Sequence, residues 1–304
     1  MLSALSSLIT LSVLIAAGYA AVKTKLIDGH SLTGLSNLLI KITLPATIFM
    51  TLQTPFSADL LGGAAVVLAV STAVQVVCIG FGYLVCKMFK VKKKQISVWV
   101  FSMAFANVGF MGFPFIHEVL GIEARFFASV YNVTFNLLAC SAGVLIMRGR
   151  KGGRSGGILK TLSEPVFVVS AAGTVMFLFS LRLPGLLEKG IDLLSAMTSP
   201  LAMIIIGAIL AQNRLLSVFT ERKLYLLAFF KLLFVPAVLF FIINPFIADR
   251  NVLAVLVYLS AMPAAAIVGV FSIKYGGDRE TASKVLALTT VLSVVTLPLI
   301  SLLF

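Results

Sequence analysis

The sequence predicts an all-α polytopic membrane protein with ten transmembrane helices, arranged as a 5+5 inverted repeat with broken, crossing helices 4 and 9. Three observations favour this fold: an apolar composition, basic residues in alternate loops, and helix interruptions at matching positions of the two halves. Hydrophobic residues make up 60% of the 304 residues and charged residues only 12%. Because a soluble domain carries about 25% charged residues, we expect a chain that is surrounded by lipid.

Ten apolar stretches lie between polar breaks, and each is near the roughly 20 residues that cross a bilayer as a helix. The predicted spans are 3–22, 33–54, 60–86, 96–117, 122–147, 162–181, 189–211, 223–246, 251–274 and 281–303. The three cysteines are scattered among these spans, and their spacing offers neither a disulfide framework nor a metal site.

The basic residues fall mainly in alternate loops. Eighteen Lys and Arg residues lie in or beside the loops after spans one, three, five, seven and nine, whereas four lie on the opposite side. Since cytoplasmic loops carry the excess of Lys and Arg, these loops are predicted to be cytoplasmic and both termini extracytoplasmic. The net charge of +13 is divided into small clusters by apolar segments, so it does not indicate nucleic-acid binding.

The two halves of the chain are predicted to be inverted copies of one unit. Residues 1–147 hold five spans, a Gly-rich basic linker occupies 148–160, and residues 161–304 hold the other five. Because five is an odd number, two such units have opposite orientations in the membrane, as in many transporters.

Helix-breaking residues recur at matching positions of the two halves. Pro45 in span two and Pro200 in span seven are 155 positions apart, and Asn107 in span four and Pro263 in span nine are 156 apart. Span four contains ANVGFMGFP, and span nine contains SAMPAAAIVG. We expect both of these helices to break near the middle of the membrane.

A helix break inside lipid is tolerated only where the backbone is buried in protein or lines a cavity. Two broken helices that meet would direct half-helix N-termini, which carry partial positive charge, towards one point. This geometry suits an anionic group such as a carboxylate. The alternative is a kinked but continuous helix, because Gly and Pro are frequent in membrane helices.

Several polar residues are candidates for this site. Asn107 lies beside the predicted break and is interpreted as a hydrogen-bond donor to substrate, although an interhelical amide contact is the alternative. Pro45 supplies a supporting break in span two. Asn132 and Asn136 in span five are four residues apart and therefore share one helix face.

Two lysines fall inside predicted spans. Lys41 precedes Pro45 by about one helical turn and is interpreted as a counter-charge for the anion. The alternative, in which the side chain snorkels towards the cytoplasm, fits Lys231 better than Lys41. No arrangement of His, Asp, Glu or Cys suggests catalysis, a metal site or a cofactor.

Four stretches of the sequence resemble the auxin efflux carrier family, and within it the bacterial members associated with malonate and malate transport. They are LPATIF at 44–49, ANVGFMGFP at 106–114, SPLAMIIIGAILA at 199–211, and MPAAAIVGVFSIKYGGD at 262–278 continuing to TTVLSVVTLPLI at 289–300. The resemblance implies a ten-helix carrier of small organic anions, with Asn107 and Pro263 at the crossover. Plant relatives commonly differ at Ala106 and Ala264, so auxin-like specificity is not implied.

The leading hypothesis is a secondary carrier of a mono- or dicarboxylate in a bacterial plasma membrane. The half-helix ends at Asn107, Val108 and Gly109 and at Pro263, Ala264 and Ala265 would hold the carboxylate, with the lipid bilayer around the protein. A coupling proton or sodium ion and a homodimer are left open. Alternatives are an exporter of hydrophobic weak acids, a passive channel or sensor, and an intramembrane enzyme, which would need clustered His, Asp or Glu.

Overall fold

The computed structural model describes residues 2–53, 58–149, 165–212 and 221–304, and most of these residues are helical. The helices are α1 (Leu2–Lys23), α2 (Gly29–Thr51), α3 (Ala58–Met88), α4 (Ile96–Ala104), α5 (Val108–Leu120), α6 (Ile122–Leu138, continued by Ala139–Gly143 and Val144–Arg148), α7 (Pro165–Leu178), α8 (Gly185–Ala196), α9 (Thr198–Gln212), α10 (Arg222–Ile243), α11 (Arg250–Ala261), α12 (Ile267–Tyr275) and α13 (Arg279–Ser301).

The all-helical class is confirmed, and the protein is a multi-pass membrane protein. In the described ranges, six helical stretches are long and apolar enough to cross a membrane: α2, α3, α6, α8 with α9, α10 and α13. Part of α1, α5 and α11 are shorter apolar helices. The arrangement in ten spans stays a prediction. The linker expected at 148–160 lies outside the described residues from residue 150 onwards.

Three prolines follow directly on π-helical turns. The pairs are Leu39–Thr43 before Pro45, Val108–Gly112 before Pro114, and Phe230–Phe234 before Pro236. Proline cannot donate a hydrogen bond, and its ring clashes with the carbonyl four residues earlier. The wider π turn accommodates both effects without ending the helix. The prediction of a helix break at Pro45 is therefore wrong, because α2 runs through it.

The interrupted helices lie in the centre of the bundle. Every residue of α4 from Val98 to Ala104 is buried, and so is every residue of α11 from Val252 to Ala261. A helix that is buried on all sides has no lipid-facing stripe. The interruptions that follow α4 and α11 are consequently enclosed by protein, as the backbone at a break requires.

Loops after the third, fifth, seventh and ninth predicted spans meet at one end of the bundle, which we call the basic end. The contacts are Lys94 Nζ to Asp278 Oδ2 at 3.4 Å, Lys223 Nζ to the Phe89 carbonyl at 3.0 Å, and the Arg148 guanidinium over the Tyr275 ring at 4.9 Å. The charge pattern thus identified segments that are neighbours in space.

Helix α1 packs against α9 with almost no side chain between the two backbones. A Cβ atom built on Gly18 would lie 2.0 Å from the carbonyl oxygen of Ile204, and one on Gly207 would lie 1.9 Å from that of Ile15. Small residues permit such close approach between membrane helices. Two glycines therefore fix the position of α9, which also borders the site described next.

Candidate functional site

The fourth predicted span is interrupted between α4 and α5. Phe105 leaves the helix with extended backbone angles, and Asn107 forms the N-terminal cap of α5. The Asn107 side-chain oxygen accepts a hydrogen bond from the Phe110 N–H at 3.3 Å. Capping of this kind satisfies one of the N–H groups that have no acceptor within the helix. The break predicted in span four is therefore confirmed, and Asn107 caps the helix that follows the break.

The interruption of span four pairs with the interruption between α11 and α12. The Asn107 N–H donates to the Pro263 carbonyl at 2.8 Å, and the Ala265 N–H donates to the Phe105 carbonyl at 3.0 Å. These bonds flank an isolated antiparallel bridge between Ala106 and Ala264. Residues 156 to 160 positions apart in the sequence are thereby joined in space, and backbone groups freed by the breaks satisfy one another.

A third helix supports this pairing. The Ala264 N–H donates to the Thr289 hydroxyl oxygen at 3.2 Å, and the same hydroxyl donates to the Val285 carbonyl at 2.7 Å. Thr289 lies in α13 and is fully buried. The hydroxyl therefore acts both as acceptor and as donor, and it anchors the second interruption to α13.

A small cavity lies beside the paired interruptions. It has a volume of about 10 Å³ and is lined by Asn107, Ile206, Ile209, Ala266, Leu286 and Thr290. A cavity of this size holds about one water molecule, so the crossover is closed around a space too small for a carboxylate. The Asn107 Nδ2 is buried and has no hydrogen-bond acceptor among the described residues.

Both helices that start at the interruptions begin beside this cavity. Helix α5 begins immediately after Asn107, and α12 begins immediately after Ala266. The N-terminal end of a helix carries partial positive charge, although in α5 the N–H groups of Val108 and Phe110 already have acceptors. Together with the Asn107 amide, the two helix ends favour a negatively charged group at this point.

The other predicted residues of spans four and nine lie within the paired segments. Val108 and Ala264 are fully buried, and Ala265 is nearly so. Gly109 is buried, and a Cβ built on it would lie 3.2 Å from the Leu44 side chain. Helix α2, which contains Leu44 and the buried Pro45, therefore lies directly against the start of α5.

The two asparagines of α6 differ in their surroundings. Asn132 is buried, and its Nδ2 has no acceptor among the described residues, whereas the Asn136 Nδ2 donates to the Asn132 carbonyl at 2.8 Å. One turn beyond Asn132, the Phe135 ring contacts the Phe105 ring at the start of the interruption, with 6.1 Å between centroids. The same face of α6 thus lies near the paired segments.

The two lysines inside predicted spans have the opposite exposure from the one expected. Lys41 is exposed and does not line the cavity beside Asn107, so its role as a counter-charge stays a prediction. Lys231 in α10 is only 2% exposed, so the interpretation that it snorkels is wrong. A buried lysine in a membrane protein is costly, and its environment includes Cys78 of α3.

A second and much larger cavity lies towards the other end of the bundle. Its volume is about 380 Å³, and its lining includes His117, Arg125 and Ser195. Arg125 and Arg148, which lies at the basic end, are about 34 Å apart along α6 at 1.5 Å per residue. The cavity that Arg125 lines is therefore far from the basic end. In the part of the chain that the structure describes, no three His, Cys, Asp or Glu side chains come together to hold a metal.

Sequence reasoning missed the contributions of α9 and α13 to the central cavity. Ile206, Thr289 and Thr290 border the crossover, although none was a candidate. The signal for α13 was available, because Thr289, Thr290 and Ser293 place three hydroxyls within about one turn in the middle of a predicted span. Ile206 carries no such signal, since α9 is apolar on every side.

Comparison with known proteins shows the family to which the chain belongs. The model of a family described as membrane transport protein matches residues 3–157 and 156–301 of the chain. An uncharacterized transporter of Methanocaldococcus jannaschii is 26% identical over 279 residues, which is 87% of each chain. Another, of Methanothermobacter thermautotrophicus, is 26% identical over 302 residues, or 96% of each chain. The protein therefore belongs to the auxin efflux carrier family of membrane transport proteins.

Proposed function

We propose that the protein is a secondary carrier that moves a small organic anion, a mono- or dicarboxylate such as malonate or malate, across the membrane by alternating access. The substrate carboxylate binds at the paired interruptions, between residues 107–109 and residues 263–265. Family membership supports transport. The charge and polarity of the crossover support an anion as cargo.

The observation that carries the proposal is the buried Asn107 amide, which has no acceptor among the described residues. A buried donor without an acceptor costs about 1–3 kcal/mol. A carboxylate oxygen would accept from it, and the N-terminal dipoles of α5 and α12 would add favourable charge. Asn132 is a second buried amide whose Nδ2 has no acceptor among the described residues, and we propose that it contacts the substrate when the crossover opens.

The proposed architecture has ten spans in two inverted units, residues 1–147 and 161–304, joined by the linker at 148–160. Helical residues of the described ranges overlap every predicted span, and the contacts at the basic end support the alternation of the loops. In such a fold, one group of helices moves against the other around a fixed site. The closed cavity of about 10 Å³ would then open when the helices separate.

Flux through reconstituted vesicles tests the proposal. Purified protein is placed in proteoliposomes, and counterflow of malonate, malate and propionate is measured for the wild type and for Asn107→Ala. We expect saturable counterflow of at least one acid, and a reduction of about tenfold or more in Asn107→Ala, since an amide-to-carboxylate hydrogen bond contributes about 1.5–3 kcal/mol.

The matched control is Asn37→Ala, because Asn37 is exposed on α2 and lies outside both cavities. It should transport like the wild type. Equal counterflow by wild type and Asn107→Ala for every acid that is carried would remove Asn107 from the site. Flux that never saturates and shows no counterflow would indicate a channel instead of a carrier.

A further inference from the structure

The larger cavity has the dimensions of a ligand site rather than of a packing defect. Its volume of about 380 Å³ falls within the range of about 300–1,000 Å³ that is typical of small-molecule pockets. Side chains from α1, α2, α5, α6, α8 and α9 line it. It shares no lining residue with the cavity beside Asn107, although α5 and α9 contribute to the surroundings of both.

Arg125 is the residue of this cavity best suited to an anion. It is half-buried in the first turn of α6 and lines the cavity. Its one side-chain hydrogen bond within the described part of the chain runs from Nη2 to the Ser195 hydroxyl and is long, at 3.4 Å. A guanidinium has five N–H donors in a fork that matches a carboxylate, so most of its donor capacity is unused.

The hydroxyl that faces Arg125 is held firmly in place. Ser195 and Thr198 are buried at the junction of α8 and α9, and Thr47 of α2 is buried against them. The Thr47 hydroxyl lies 2.7 Å from the Thr198 hydroxyl, 3.2 Å from the Ser195 hydroxyl and 3.2 Å from the Ser195 carbonyl. This buried network fixes one wall of the cavity, where the Ser195 hydroxyl accepts from Arg125 and donates to Thr47.

Acidic side chains limit how strongly this cavity attracts anions. Asp192 is near enough to attract Arg125 electrostatically, but the two form no ion pair within 4.0 Å among the described residues. Glu118 and His117 also line the cavity. Asp192 thus competes with an incoming carboxylate for the same guanidinium, which favours weak and exchangeable binding.

We propose that Arg125 and Ser195 form a second carboxylate-binding site, at which the substrate is held in the larger cavity before it reaches the crossover. Two N–H groups of Arg125 bind the carboxylate oxygens side by side, and the Ser195 hydroxyl turns its proton from Thr47 to the carboxylate to donate a third hydrogen bond. The site is weakened by Asp192, so it releases its ligand readily. This inference rests on the proposed transport of carboxylates, but it concerns different residues.

Equilibrium binding to purified protein tests the second site. The probes are propionate and malonate, three-carbon acids with one and two carboxylates, and binding is measured by titration calorimetry. We expect Arg125→Gln to weaken binding about tenfold to a hundredfold in the Asn107→Ala background, where the crossover no longer contributes. Arg125→Lys keeps the charge but loses the fork, so its affinity should fall between those of the wild type and Arg125→Gln.

Asp192→Asn separates a binding role of Arg125 from a structural one. If Asp192 competes with the ligand, Asp192→Asn binds the acids several-fold more tightly than the wild type. If Arg125 and Asp192 merely stabilise the fold, both Arg125→Gln and Asp192→Asn lower the melting temperature and neither changes affinity. Arg182→Gln is the matched control, because Arg182 is exposed and lies outside the cavity.

The outcomes distinguish this inference from the proposed function. Unchanged binding and flux in Arg125→Gln, with flux lost in Asn107→Ala, would overturn the second site and leave the crossover intact. Binding lost in Arg125→Gln, with flux unchanged in Asn107→Ala, would support the second site and refute the crossover. Failure of the wild type to bind either acid at millimolar concentration would also overturn the second site.

Discussion

The two cavities of this protein differ in size, in lining and in what encloses them. The cavity beside Asn107 measures about 10 Å³ and is mostly apolar, whereas the one beside Arg125 measures about 380 Å³ and contains charged side chains. Both border α5 and α9. The crossover is therefore tightly packed, whereas a space large enough for a small molecule lies farther from the basic end. Movement of α9 relative to α5 would change both volumes together.

The largest effect is expected where α9 meets α1. Gly207→Ala places a Cβ 1.9 Å from the Ile15 carbonyl oxygen, so the two helices must separate. We expect the free energy of unfolding to fall by about 1–3 kcal/mol or more, with both cavities altered. Thermal unfolding in detergent measures this change. Gly80→Ala is the control: nothing lies within 4 Å of its added Cβ, and it should gain up to about 1 kcal/mol.

A smaller effect, confined to the crossover, is expected from Thr289→Val. This change removes the acceptor for the Ala264 N–H and leaves a buried donor unpaired, which costs about 1–3 kcal/mol. Counterflow should drop while binding at the Arg125 cavity is retained. Thr33→Val removes an exposed hydroxyl of α2 and should leave both properties unchanged. Equal losses in both assays would show that the two cavities do not act separately.

A modest change in selectivity is expected from Ile206→Val. Deleting one methyl group from the lining enlarges the closed cavity and costs about 0.5–1.5 kcal/mol of stability. Flux of acids with one more carbon should rise relative to flux of shorter acids, which competition assays in vesicles can measure. The control is Ile242→Val on the lipid-facing side of α10, where Ile242 is 59% exposed. It should leave the ratio of longer-acid flux to shorter-acid flux unchanged. A ratio unchanged in Ile206→Val would place the substrate elsewhere.

The smallest effect is expected at the basic end, which contributes to neither cavity. Lys94→Gln breaks the pair with Asp278, in which the lysine side chain is 69% exposed. Exposed ion pairs contribute about 0–1 kcal/mol, so stability and flux should remain within error of the wild type. A clear loss of flux would mean that the basic end takes part in transport.

The sequence predicted the interruptions but could not predict everything that surrounds them. Proline and glycine act on their own helix, so the break at Asn107 and its partner at Pro263 could be read locally. The structure adds that α2 continues through Pro45 because a π turn precedes it. The formation of that turn depends on the surrounding backbone and not on the proline alone. Contacts such as Arg125 with Ser195 join residues 70 positions apart and have no local signature.

The lysines show why depth in a span does not reveal the environment of a side chain. Successive residues of a helix point about 100° apart, and a helix that is apolar all round gives no pattern from which to choose a face. Lys41 and Lys231 both lie within apolar runs, yet one is exposed and the other is buried. Only the packing of neighbouring helices decides between these positions.

Alternating access at the crossover is tested most directly by the accessibility of Thr290, which lines the closed cavity. The protein carries Thr290→Cys with Cys78, Cys86 and Cys140 replaced by Ala, in oriented vesicles. A membrane-impermeant thiol reagent is then added on either side. We expect the cysteine to react with the reagent whichever side it is added on. A saturating concentration of the acid that is carried should slow both reactions. Reaction from one side only, or reaction that the acid does not slow, would contradict binding of the substrate at the crossover.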